Sequence, residues 1–209
     1  MSHTLHRRGS KESLQNDFPL LSRPSIGINN IGSGDKLREF TKIAMRHNPT
    51  NLGMSKKGNL YTTTSEEIIE ALEDNRTVNV VFANKEDYTA FLKELVEHNW
   101  DLSVTTGALR ENVEEVCAEV GIVPHSVNLS IGIFGKLELL PPEEILAFTT
   151  MCGHHQIAPA LVEALIDKVK KGKTSPHDAA VSLARHCPCG AFNTARAEDM
   201  FKQYLEKME

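Results

Sequence analysis

The sequence predicts an α/β fold, with alternating strands and helices in a largely parallel or ferredoxin-like sheet, followed by a C-terminal three-helix subdomain that carries cysteines. Three observations lead there. Strand-like and helix-like segments alternate from Gly58 to Phe134 with short connections, which favours β-α-β units. Pro141-Pro142 then interrupts the chain. Beyond that break the apolar residues follow helical spacing, and three of the four cysteines sit at the ends of the helical segments.

Residues 1–33 are rich in Ser, Asn, Gly, Arg and His and have no sustained period, so they read as an extended N-terminal arm with one apolar knot, Phe18-Pro19-Leu20-Leu21. Residues 34–140 form the expected α/β domain. Leu37, Phe40, Ile43 and Ala44 mark a helix over Asp35 to Arg46, ended by Asn48-Pro49. A strand over Asn59 to Thr62 precedes a helix capped by Ser65 and carrying Ile68, Ile69 and Leu72. Thr77 to Ala83 is the next strand, Glu86 to His98 an amphipathic helix, and Leu102 to Thr105 a further strand. Leu109 to Val120 is a helix stopped by Gly121, with Cys117 in its apolar stripe and therefore read as core. Strand Ser126 to Phe134 closes the series.

Residues 141–209 form the helical subdomain, beginning with a linking helix over Glu143 to Thr149. Pro159 suits a first helical turn, and Leu161, Val162, Leu165, Ile166 and Val169 make the stripe of a helix that ends at Lys171-Gly172. Ser175-Pro176 starts the next helix, which runs to His186. At about 1.5 Å per residue these helices are roughly 19 and 16 Å long, and a connection this short makes them antiparallel. Cys152, before the first, is therefore expected to face Cys187 and Cys189, after the second. Asn193 can cap a third helix whose positive end points back at the sulfurs and favours thiolate.

The apolar fraction of 40% and charged fraction of 24% are those of an ordinary globular chain. A net charge of −5 argues against general nucleic-acid binding, which needs clustered cations. No apolar run of about 18 residues or signal-peptide core is visible, so a cytoplasmic, non-membrane protein is expected. Four cysteines are too few for a disulfide scaffold. No phosphate-binding loop, dinucleotide fingerprint or serine-hydrolase elbow occurs. Gly132, Gly135 and Lys136 form a loop that could bind an anion. His47, His98, His125 and His177 read as isolated and solvated.

Three thiolates suit an iron–sulfur cluster, [4Fe-4S] above all, leaving one position to a histidine, an outside ligand or substrate. His154, His155 and His186 are the candidates for that position. The same set suits tetrahedral zinc in a non-catalytic accessory or assembly module. A third reading is a dithiol redox enzyme cycling Cys187 and Cys189, although so short a disulfide ring would be strained. The expected partner is a protein or a small-molecule substrate.

Overall fold

The computed structural model describes residues 7–154 and 156–206, and its sheet differs from the expected one. Strands β1 (Phe18–Arg23), β2 (Asn51–Met54), β3 (Gly58–Asn59), β4 (Val78–Phe82) and β5 (Ser103–Thr106) stand in the order β3-β2-β4-β1-β5. Every neighbouring pair is antiparallel, so neither a largely parallel nor a ferredoxin-like sheet forms.

The reason lies in β1. Helix α4 (Lys85–Glu97) joins β4 to β5, and these two strands do run in the same direction, as a helical crossover requires. They are not neighbours, because β1, drawn from the segment read as an arm, lies between them and opposes both. Phe18 and Leu20 of β1 are wholly buried, which rewards this insertion by roughly 1.5–3 kcal/mol each. Pro19 is tolerated inside the sheet because it sits where the β5 ladder ends, its carbonyl accepting the Gly107 N–H at 2.9 Å.

Ser126 to Phe134 is a second correction. The alternation of Val127, Leu129, Ile131 and Ile133 is that of a strand, yet all four side chains are exposed and the segment joins no ladder. Alternation provides a face to bury, and a strand also needs a backbone partner.

The remaining helices are α1 (Lys11–Leu14), α2 (Ser33–Arg46), α3 (Ser65–Glu70), α5 (Arg110–Glu119), α6 (Glu143–Thr149), α7 (Pro159–Lys170), α8 (Pro176–Ala184) and α9 (Thr194–Glu206). The Thr64 hydroxyl, one residue earlier than expected, caps α3 through the Glu67 N–H, while Ser175 caps α8 through the Asp178 N–H at 3.0 Å. Two apolar clusters result. One packs Phe18, Phe40, Phe82 and Phe91 between the sheet and α2 and α4. The other packs Phe148, Val162, Leu183 and Phe201 of α6 to α9, and it contains Cys152, Cys187 and Cys189. No helix among the described residues is long and apolar enough to cross a membrane.

Candidate thiol and metal site

The cysteines occupy two turns that the adjoining helices end in. After α6 the chain tightens, with the Cys152 N–H bonded to the Thr149 carbonyl at 3.2 Å. After α8 the Cys187 N–H bonds to Ala184 O at 3.0 Å, and the Gly190 N–H closes the Cys-Pro-Cys-Gly turn onto Cys187 O at 3.1 Å. Gly190 has φ of +76°, and its α-carbon lies directly against the backbone of Leu52 and Gly53 in β2, where no side chain would fit.

Two buried asparagines hold this second turn to the sheet. Asn59 Nδ2 donates to Ala184 O and Cys187 O, while Asn51 Nδ2 donates to Phe192 O at 3.0 Å. Asn193 caps α9 by accepting the Arg196 N–H at 2.9 Å, and its amide nitrogen reaches Asn16 O and Asp17 Oδ1. Sheet, turn and third helix are thus fixed together by hydrogen bonds that have no water to compete with them.

Cys152, Cys187 and Cys189 all have zero exposure, and none is in a disulfide. Sγ of Cys187 lies 3.7 Å from Sγ of Cys189. Cys187 also interacts with Cys152. Donation to Cys152 and Cys189, reinforced by burial, pushes the Cys187 pKa well up. The hydrogen bond from Cys187 holds Cys152 down at about 6 against the effect of burial, helped by the N–H groups of Gln156 and His154 and by charge on His154. The same thiol holds Cys189 at about 7, helped by the Ala191 N–H. The turns therefore favour two thiolates around one thiol.

The other sequence candidates lie elsewhere. His154 follows the first turn and is exposed, though its charge acts on both Cys152 and Cys189. His155 falls outside the described residues. His186 is exposed and folds back on its own helix, Nδ1 donating to Ser182 O at 2.9 Å. Cys117 is buried in α5, where desolvation pushes its thiol pKa up. Gly132, Gly135 and Lys136 are all exposed. A cavity of about 500 Å³ lies between β5, α5 and residues 122–130, with Arg7 in its lining. Among the described residues, no group of three or more His, Cys, Asp or Glu side chains is placed so that it could hold a metal ion.

A charged cluster beside the site leaves almost no trace in the sequence. Asp17, Arg7 and Arg196 have side chains 1%, 3% and 2% exposed. Arg196 Nη1 donates to Asp17 Oδ2 at 2.8 Å, and Arg7 Nε stands 3.3 Å from the same oxygen. Arg7 Nη1 donates to Met151 O at 2.8 Å and Nη2 to Ala191 O, so one side chain spans the approaches to Cys152 and Cys189. The one signal in the sequence is Arg196 itself, since a cation in the first turn of a helix opposes the helix dipole and needs a local anion. Comparison with protein-family models, with curated proteins and with solved structures finds no significant match to this chain.

Proposed function

We propose that the chain is an iron–sulfur protein whose cluster is held by Cys152, Cys187 and Cys189. The observation that carries this is three fully buried cysteines in one apolar cluster, the sulfurs of Cys187 and Cys189 lying 3.7 Å apart and the pKa values of Cys152 and Cys189 held down. Burying thiolate in an apolar core is costly without a cation beside it. N–H···S bonds and burial are also the means by which proteins tune such clusters. When bound, the cluster would supply electron transfer or, through an iron left without a protein ligand, Lewis acidity. The chain's own part is to exclude water, orient the three sulfurs and favour Cys152 and Cys189 as thiolates, while Cys187 would give up its proton on binding. His154 is the nearest described histidine for a fourth position. The site would serve a protein partner or a small-molecule substrate, in a reducing compartment such as the cytoplasm.

A specific distance favours a second reading, a zinc-stabilised accessory or assembly module. With Zn–S near 2.3 Å, two ligands of a tetrahedral ion stand about 3.8 Å apart. The Cys187–Cys189 separation of 3.7 Å is close to that.

Anaerobic purification of the full chain, followed by an absorption spectrum and iron, sulfide and zinc analysis, separates these. Broad visible absorption with iron and sulfide supports the first reading. A colourless protein with one zinc supports the second, and a colourless metal-free protein leaves the dithiol enzyme. Cys152→Ser, Cys187→Ser and Cys189→Ser should each empty the site while Cys117→Ser keeps it filled; the reverse pattern would defeat both metal readings.

A further inference from the structure

We infer that Arg7 and Arg196 are the counter-charge of the three-cysteine site and that Arg7 is also its clasp, a proposal that rests on the metal reading above. The observation is a charge imbalance. Two guanidinium groups share one carboxylate, Asp17, and all three side chains are almost fully withdrawn from water. Among the described residues one positive charge of this cluster is left over, and it is costly unless an anion lies nearby. Among the described residues the nitrogen Arg7 Nε has no hydrogen-bond acceptor in good geometry, so the carboxylate does not saturate the pair.

The anion that fits is the site itself. A [4Fe-4S] core of charge two plus on three thiolates carries one net negative charge, and so does zinc on three thiolates. The contacts run in the same direction. Ala191 gives its N–H to the Cys189 sulfur while its carbonyl accepts from Arg7, so the guanidinium is one peptide unit from the thiolate. On the other side Arg7 holds the carbonyl of Met151, whose neighbour is Cys152. Arg196 fixes the segment that delivers Arg7, donating to Arg8 O at 2.6 Å and to Ser13 Oγ at 2.9 Å. Arg7 therefore both offsets the charge of the loaded site and ties its two halves together, through residues 144 and 184 positions away. It touches no sulfur and acts as a positioning residue.

The test compares full-length wild type, Arg7→Met, Arg7→Lys and Arg196→Gln, purified anaerobically, for metal content, rate of metal loss to a chelator and, for an iron–sulfur site, reduction potential. Arg7→Met should lose metal roughly 10- to 100-fold faster, the range expected for a supporting partner of metal ligands. Its potential should fall, because a nearby positive charge favours the reduced cluster. Arg7→Lys keeps the charge and loses the two-pronged grip, so it should lose metal faster at a wild-type potential. Arg196→Gln, which leaves Arg7 in place, should also lower the potential and serves if Arg7→Met does not fold. Loaded variants with wild-type release and potential would overturn this inference alone. Equal release from Arg7→Met and Arg7→Lys with no change in potential would reduce Arg7 to a structural strut and overturn the counter-charge. A zinc-loaded protein makes the release rates the readout, on which Arg7→Lys must be slower than Arg7→Met. Wild type without metal would overturn the functional reading and this inference with it.

Discussion

Asn59 reaches from β3 into the turn after α8, where its Nδ2 lies 2.7 Å from the carbonyl oxygen of Cys187 and 2.8 Å from that of Ala184. Its own Oδ1 accepts the Tyr61 N–H at 2.8 Å, so the amide is satisfied at both ends. Asn59→Ala removes one of the two hydrogen bonds that each of these carbonyls accepts, the N–H groups of Cys187 and Gly190 keeping the other, and each lost bond is worth about 0.5–1.5 kcal/mol. Urea denaturation of the variant should show a loss of about 1–3 kcal/mol, the net worth of two hydrogen bonds. A loss below about 0.5 kcal/mol, the range of ordinary surface changes, would mean that the turn does not depend on the sheet.

Gly190 shows the same dependence from the backbone side. A Cβ there would overlap the nitrogen of Gly53 and the carbonyl carbon of Leu52, both main-chain atoms of β2, and the left-handed φ adds its own strain. Gly190→Ala is therefore expected to cost about 3 kcal/mol or more, the sum of backbone strain and overpacking. Thermal unfolding followed by circular dichroism checks this. Gly172 has a similar φ of +64° but open space around it, so Gly172→Ala should cost only the strain part, about 1 kcal/mol.

These contacts explain why some of the molecule was legible in the sequence and some was not. Helix starts are encoded locally, and Ser175-Pro176-His177-Asp178 gives the position of α8 because the cap is made by neighbours three residues apart. The expectation that Cys152 faces Cys187 and Cys189 rests on two helix patterns and the short connection between them, and the three share one buried cluster. The sheet order was not. β1 hides in a polar segment behind a proline, and β2, Asn51-Leu52-Gly53-Met54, has two residues of low strand propensity. Asn51 and Gly53 are there for tertiary reasons, the first to bind Phe192 O and the second to admit Gly190. Arg7, Asp17 and Arg196 escaped notice because a buried ion cluster joins residues far apart and leaves no period.

Asp74 carries the clearest pH dependence outside the thiol site. Its carboxylate accepts the Gly32 N–H at 2.9 Å and the Gly34 N–H at 2.7 Å at the start of α2, and those backbone bonds lower its pKa. A lowered folded-state pKa means that the contribution is complete above the unfolded value near 3.9 and is lost as pH falls through the folded one. Wild type and Asp74→Asn should therefore differ in stability at pH 7 and converge on acidification below about pH 4. Denaturation midpoints taken from pH 7 to pH 2 would show it; a difference that grows on acidification has the wrong sign for this cap.

Residues 126–134 combine a strand's apolar alternation with a backbone that has no ladder, and the two properties predict different measurements. The Gly132 N–H approaches Ser130 Oγ at 3.4 Å, but no amide from 126 to 134 has a backbone acceptor among the described residues. Hydrogen exchange in this segment should then approach the rate of an open chain, whereas Leu20 in β1 should exchange only on large-scale opening. Side-chain substitution should divide the same way. Ile131, 88% exposed, contributes little to the fold, so Ile131→Ser should alter stability by no more than about 0.5 kcal/mol. Leu20, with no exposure, should cost about 2–5 kcal/mol on change to Ala. Slow exchange at Leu129 or Ile131 together with a large penalty for Ile131→Ser would show that the segment does find a partner, and the open edge of β5 would then be the first place to seek it.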